Sequence, residues 1–159
     1  MLIQFKVANF MSFKDEVTFS MVASSIREHK DTNLFEINKL RLLKSSIFYG
    51  ANASGKSNLF KALDFMKDFI LHSSKDTQAA EKIEVSRFKL SEETENKPCF
   101  FEIIFIQEGV NYRYGFKVDR NEIHEEWLFY TPKKKEIELF IRNKEDFKIG
   151  LHFEEGKEL

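Results

Sequence analysis

The sequence predicts an α+β fold in which a strand–loop–helix unit precedes an antiparallel β meander. A short apolar run ends at Gly50, and helical periodicity follows from about Lys56 to His72. After Ile83 the apolar residues recur at period two. We expect a single unit over 1–159, with the strand–loop–helix part in 1–75 and the β part in 83–153.

The composition is that of a folded globular domain. The 159 residues are 42% apolar and 32% charged, with 18 Phe, which argues against a disordered tail. The formal net charge of −1 gives no overall attraction to nucleic acid. Cys99 is the sole cysteine, so an intramolecular disulfide is excluded and a core position is expected. The sequence has neither a signal-peptide pattern nor an apolar run of membrane-spanning length, which predicts a cytoplasmic protein.

The amino-terminal segment predicts a β-hairpin. Alternating apolar residues, which we expect to share one face of each strand, precede and follow the polar break 9–15, namely Ile3, Phe5, Val7, Phe19 and Met21. Residues 24–38 are polar and mixed, so a surface loop and a short helix both remain open there.

The segment 45–49 predicts a buried strand that leads into a tight turn at Gly50. Beyond the turn, a helix is predicted from about Lys56 to His72, and Ser73 with Ser74 is expected to end it. The apolar stripe of this helix consists of Leu59, Phe60, Leu63, Met66, Phe69 and Ile70.

Alternation in the second half of the chain predicts four strands joined by tight turns, with no helix among them. The strands are centred on 101–105, 112–118, 123–129 and 137–141. The turns fall at residues rich in Gly, Asp, Asn and Pro, namely 108–109, 119–121 and 131–134.

Residues 50–57 carry the spacing of a phosphate-binding P-loop. Gly50 and Gly55 let backbone amides converge on an anion, and the following helix adds its positive end. At this spacing Lys56 reaches the β- and γ-phosphates of ATP, and the Ser57 hydroxyl ligates a bridging Mg²⁺ ion. A strand-to-helix turn without a ligand is the alternative, but it gives a Lys-Ser pair at a helix start no packing role. The predicted nucleotide-binding residues are Gly50, Ala51, Asn52, Ala53, Ser54, Gly55, Lys56, Ser57 and Asn58, with Ser57 as the metal ligand.

The loop resembles that of the ABC, SMC and RecF group of ATPases, where an Asn occupies the position of Asn52. The run 9–14 is similar to the Asn-Phe-Arg-Ser-Phe-Lys near the start of RecF-like proteins and of AAA-class, ABC-like ATPases of bacterial phage-defence systems. Segments 101–105, 112–116 and 125–128 are similar to strands of their antiparallel lobe. The resemblance implies the N-terminal lobe of an ABC/RecF-like ATPase head, from a defence or DNA-maintenance system, that uses ATP and Mg²⁺.

The sequence departs from that family at two positions. Met11 stands where the family has Arg or Lys, and Lys14 is a candidate substitute for that basic contact. Ala53 replaces the commoner Gly of the ABC loop, a change that suits an anion-binding nest if the residue keeps negative φ.

Hydrolysis in this family also needs a Walker B acid, a glutamate that activates water, and a signature motif from a second head. Glu102 and Glu138 sit mid-strand on an alternating pattern, so we expect both to face solvent. Residues 90–93 lack the two glycines of a signature. Gln107 fits a hairpin turn as well as the family's Q-loop role.

The resemblance therefore implies that the C-terminal half of the head is absent from this chain, which would bind ATP without hydrolysing it alone. A P-loop strand lacking that half would expose an edge and an apolar face, so self-association or a companion polypeptide is expected. Contact with nucleic acid is expected only of the complete assembly, and contact with a membrane is not expected. The alternatives are a non-hydrolysing, nucleotide-dependent interaction module and a P-loop kinase, which the long antiparallel half disfavours.

Overall fold

The computed structural model describes residues 1–25, 28–72, 82–153 and 156. Five strands lie before or at the start of the meander: β1 (Leu2–Ala8), β2 (Val17–Ser20), β3 (Leu34–Ile37), β4 (Leu40–Leu43) and β5 (Cys99–Gln107). The remaining strands are β6 (Val110–Val118), β7 (Ile123–Thr131), β8 (Ile137–Asn143) and β9 (Asp146–Ile149). The helices are α1 (Lys30–Asn33), α2 (Lys56–His72) and a short 3₁₀-helix (Glu92–Thr94).

Seven of the nine strands in the described chain form one antiparallel sheet, in the order β2-β1-β5-β6-β7-β8-β9, and β3 pairs with β4 in a separate hairpin. The predicted amino-terminal hairpin is confirmed, and so are the four meander strands. Helix α1 is the short helix that the sequence leaves open in 24–38, whereas strand β3, strand β9 and the 3₁₀-helix are not predicted. Strand β1 pairs with β5, with Phe5 opposite Ile103, so the amino-terminal hairpin extends the meander sheet.

Helix α2 has the bounds that the sequence predicts, while Ser73 and Ser74 lie outside the described residues. Its buried residues Leu59, Ala62 and Met66 pack on one face of the sheet. There the Phe69 ring stacks on Phe116 with centroids 4.3 Å apart. Burying such side chains stabilises a fold by about 1.5–3 kcal/mol each. The sheet therefore fixes α2, and with it the loop that precedes the helix. Cys99 lies in the same core, as expected.

The expectation that Ile3 shares a face with Phe5 and Val7 is wrong. The pairing of β1 with β5 shifts register between Leu2 and Gln4, and such a bulge reverses the alternation of side chains. Ile3 consequently packs with Leu42 and Ile106 in a second cluster, away from the core beneath α2.

The prediction of a buried strand at 45–49 is also wrong. No strand is assigned there, and Ile47 and Tyr49 are 84% and 91% exposed. A strand buried on both faces needs partner strands, and no described strand pairs with this segment. Phe48 is the best anchored of its large side chains, with ring centroids 5.0 Å from Phe19 and 5.8 Å from Phe60.

Among the described residues, no helix combines the length and apolar character needed to span a membrane.

Candidate nucleotide-binding site

The loop at 50–55 is shaped by left-handed backbone at Ala53, with φ 62°, and at Gly55, with φ 89°. The expectation of negative φ at Ala53 is wrong. The Ser54 N–H donates to the Ala51 carbonyl at 3.3 Å, which closes a tight turn across this position. Left-handed backbone costs an L-residue about 1–2 kcal/mol. Successive N–H groups around such a residue form a concave nest that attracts anions.

The amino end of α2 contributes further donors. The Asn58 and Leu59 N–H groups both donate to the Gly55 carbonyl, at 2.9 and 3.3 Å. The preceding N–H groups of Lys56 and Ser57 have no acceptor within the helix, as at any helix start. These groups carry the positive end of the dipole of a helix of 17 residues. The loop and the helix start together suit a phosphate group.

The Lys56 side chain folds back over the loop. Its Nζ donates to the carbonyl of Gly50 at 2.8 Å and of Ala51 at 2.6 Å. The Ser54 hydroxyl lies 3.4 Å from the same atom. These bonds hold the ammonium group against the loop. The side chain of Ser57 is exposed at the helix start, where its hydroxyl is accessible to a metal ion.

The turn at 9–14 packs directly on this loop. The Asn58 Nδ2 donates to Ser12 Oγ at 2.8 Å. A Cβ atom added to Gly55 would lie 3.0 Å from the same oxygen, closer than most real Cβ contacts. A side chain there would have to displace the Ser12 hydroxyl, and it would also be strained by the positive φ. The two sequence motifs that carry the resemblance are therefore neighbours in space.

A family comparison agrees with this geometry. The family described as "AAA domain, putative AbiEii toxin, Type IV TA system" matches residues 45–159, a range that contains the whole loop. The chain belongs to this family. It is thus a P-loop ATPase-like domain of a family linked to abortive-infection systems, and such domains bind nucleotide, typically with Mg²⁺. A comparison with curated proteins finds no match.

Asn9 anchors the turn of this AAA-family domain from beneath. It is 4% exposed, and its Nδ2 donates to the Thr94 carbonyl at 3.1 Å and the Lys97 carbonyl at 2.7 Å. Its Oδ1 accepts from the Phe88 N–H at 3.2 Å. Its φ of 50° is one that Asn tolerates better than most residues. The sequence resemblance singled out Asn9, but periodicity gave no sign of this role.

The candidate basic contact from the turn does not point at the loop. The Lys14 Nζ lies 2.7 Å from Glu93. The hydrogen bond to the Glu93 carboxylate raises the pKa of Lys14. Met11 instead uses its backbone N–H, which donates to the Ser86 carbonyl at 2.8 Å. Both residues fasten the turn to the segment that follows residue 82.

The expectation that Glu102 faces solvent is wrong, because this residue is 6% exposed. Its carboxylate accepts from Arg113 at 3.0 Å and from the Trp127 indole at 3.2 Å, and Lys6 lies 3.2 Å away. Alternation places Glu102 on the face opposite α2, but it gives no sign of the cations that cover it there.

Glu138 is partly exposed and pairs with Lys148 at 2.9 Å. Gln107 is exposed and pairs with Val110 across the hairpin turn. A position beside a hairpin turn is one of the two alternatives that the sequence leaves open for Gln107.

Proposed function

We propose that this chain binds ATP with Mg²⁺ through residues 50–58, as the N-terminal lobe of an ABC/RecF-like ATPase head. The observation that carries the proposal is the position of the Lys56 ammonium, held 2.6–2.8 Å from two loop carbonyls at the start of α2. A cation at this position can exchange its contacts with the loop for contacts with the β- and γ-phosphate oxygens.

Each part of the loop has a separate task in this proposal. The N–H groups of residues 51–57 surround the phosphates, and the Ser57 hydroxyl ligates Mg²⁺. A hydrogen bond from a charged group contributes about 1.5–3 kcal/mol, so Lys56 supplies the largest single side-chain contribution. Asn58 acts less directly, since its amide is bonded to Ser12.

We propose further that turnover requires acidic and signature residues from a companion polypeptide. The two acids considered for Walker B are engaged elsewhere: Glu102 with Lys6 and Arg113, and Glu138 with Lys148. The same observation favours the second candidate function, a nucleotide-dependent interaction module that does not hydrolyse ATP.

Isothermal titration of the chain with MgATP tests the binding proposal. We expect Lys56→Ala to weaken binding by about tenfold or more, because it removes one charge-assisted bond. Ser57→Ala should weaken MgATP binding and reduce its dependence on Mg²⁺. Lys67→Ala is the matched control, because it removes an exposed lysine further along the same helix. Absence of binding, or equal losses for Lys56→Ala and Lys67→Ala, overturns the proposal.

The hydrolysis proposal has its own test. We expect no phosphate release from the purified chain with MgATP, and release only when a companion supplies the missing acids. A sizing column run with and without ATP separates a head that dimerises around nucleotide from a module that binds it as a monomer. Turnover by a monomeric chain contradicts the proposal, and phosphoryl transfer to a metabolite would instead support a kinase.

A further inference from the structure

We propose that a cleft on the far side of the segment 85–97, separate from the P-loop, binds a small molecule carrying two or more phosphate groups. The cleft has a volume of about 450 Å³, which is in the range of small-molecule sites. Its floor is formed by Val85 and Cys99, both almost fully buried. Its rim carries basic and amide side chains, namely Lys89, Asn96, Lys97, Arg120 and Asn121.

Three cations of this cleft form no close ion pair in the described part of the chain, although the charge of Lys97 acts on Glu93. Within the described part of the chain, the structure assigns no ion pair to Lys89, Lys97 or Arg120. All three side chains are exposed at the rim. Lysine and arginine are the side chains that bind phosphate most strongly, and cations gathered around one concavity favour a ligand with more than one negative charge.

Each acidic residue of the cleft has a local partner, although the Asp119 carboxylate keeps its negative charge. Glu95 pairs with Arg87 at 2.9 Å. The Asp119 carboxylate contacts the His124 ring at 2.8 Å and accepts from the Asn121 N–H at 2.7 Å. The lining holds four cations and two carboxylates, so it still carries an excess of positive charge; the cations are Arg87, Lys89, Lys97 and Arg120, and the carboxylates are Glu95 and Asp119.

The walls are held in place before any ligand arrives. The Asn9 amide bonds the carbonyls of Thr94 and Lys97, and the Cys99 thiol donates to the Asn9 carbonyl at 2.9 Å. A pre-organised site avoids the entropy cost of ordering a loop on binding. The apolar floor leaves room for a ring or another uncharged part of the ligand.

A small ligand fits these observations better than a nucleic acid does. The cations surround a single cleft and do not form an extended basic surface. The chain as a whole has a net charge of −1. Nucleic acids bind chiefly through many phosphate contacts along an extended basic surface.

Titration of the Lys56→Ala protein with inorganic tripolyphosphate tests the inference, because this background removes the main phosphate contact of the P-loop. We expect binding to persist, and to weaken by about tenfold or more when Lys97→Ala and Arg120→Ala are added. The matched control adds Lys133→Ala and Lys134→Ala, which remove the same charge from an exposed turn, and it should retain the affinity. Thermal unfolding of each variant verifies that it is folded.

Three results would overturn the inference. They are no tripolyphosphate binding in the Lys56→Ala background, equal losses in the two double variants, and tighter binding of a single-stranded oligonucleotide than of tripolyphosphate through Lys97 and Arg120. Because these titrations use the Lys56→Ala protein, they do not test the P-loop. A negative result would therefore not contradict the proposal that Lys56 binds ATP.

Discussion

The Ser12 hydroxyl accepts a 2.8 Å hydrogen bond from the side chain of Asn58. This bond joins the turn that follows β1 to the first turn of α2. The same hydroxyl stands against Gly55. The orientation of the loop is therefore set by a contact between segments 46 residues apart, in addition to its own glycines.

We expect Ser12→Ala and Asn58→Ala each to lower the free energy of unfolding by about 0.5–1.5 kcal/mol, the net value of one hydrogen bond. Each should also weaken MgATP binding, because the loop loses its support. The double variant should be little worse than either single one, since both remove the same bond. Urea unfolding and titration calorimetry measure the two effects.

Asn38→Ala is the control for this pair. It removes a 2.6 Å bond to the Gly109 carbonyl in a different turn, so it should leave MgATP affinity unchanged. Additive losses from Ser12→Ala and Asn58→Ala would show that the two residues do not act together.

Substitutions at Ala53 test the left-handed backbone of the loop. Gly adopts φ 62° without strain, so Ala53→Gly should raise stability by up to about 1 kcal/mol. Ala51 does not have positive φ, and Ala51→Gly should lower stability by about 0.5–1 kcal/mol through the entropy of the unfolded chain. Ala53→Val should be the least stable of the three, because a β-branched residue tolerates this region poorly. If the two Gly substitutions changed the free energy of unfolding in urea equally, the left-handed backbone at Ala53 would be contradicted.

Local patterns were sufficient for the parts of the fold that local chemistry determines. The apolar stripe of α2 repeats every three or four residues, and it gave the helix its observed bounds. The meander turns follow from Gly, Asp, Asn and Pro at hairpin positions, so β5 to β8 were found. The loop was found by its glycines and the Lys-Ser pair, which are spaced for one purpose.

Tertiary relationships account for the parts that were predicted wrongly. An apolar run such as 45–49 does not reveal whether partner strands exist. The bulge at Ile3 depends on the register with β5, which lies about a hundred residues later. Alternation predicts that Glu102 faces solvent. In the structure, side chains from three other strands cover it, namely Lys6, Arg113 and Trp127. The contact of Ser12 with Asn58 has no signal in either segment alone.

The buried carboxylate of Glu102 should be structural. Glu102→Gln removes the charge that Lys6 and Arg113 share, and a hydrogen bond to a charged group contributes about 1.5–3 kcal/mol. MgATP affinity per folded molecule should be unchanged. Glu138→Gln is the matched control, because its partner Lys148 is 76% exposed, and exposed pairs contribute less than about 1 kcal/mol. Chemical denaturation would contradict this ranking if both variants lost the same stability.

The Arg113–Glu136 pair should make stability depend on pH. The Arg113 guanidinium donates to both Glu136 oxygens, at 2.9 and 2.7 Å, and these hydrogen bonds lower the pKa of Glu136 below its ordinary value of 4.5. A depressed folded pKa contributes stability above the ordinary value, and this contribution is lost as pH falls through the folded pKa. The difference in unfolding free energy between the parent and the Glu136→Gln variant should therefore become smaller as pH falls below 4.5. Parallel curves of unfolding free energy against pH would exclude this contribution.

The exposed segment before the loop should mediate self-association. Ile47 and Tyr49 are 84% and 91% exposed, and Phe48 beside them packs on Phe60, which is itself 53% exposed. Contiguous apolar surface of this kind marks an interface. Because burying one such side chain contributes about 1.5–3 kcal/mol, the double variant Ile47→Ser, Tyr49→Ser should weaken dimerisation by about tenfold or more. Sedimentation velocity over a range of protein concentrations measures the dissociation constant.

The control must remove equally exposed apolar side chains from elsewhere on the surface. Leu90 and Leu151 are both 88% exposed and lie outside this segment, so Leu90→Ser with Leu151→Ser should leave the dissociation constant unchanged. Ile47 and Tyr49 precede the loop directly, and MgATP should therefore shift the dissociation constant of the parent more than that of the Ile47→Ser, Tyr49→Ser variant. If the two double variants weaken association equally, the contact is non-specific and the segment 45–49 has no special part in it.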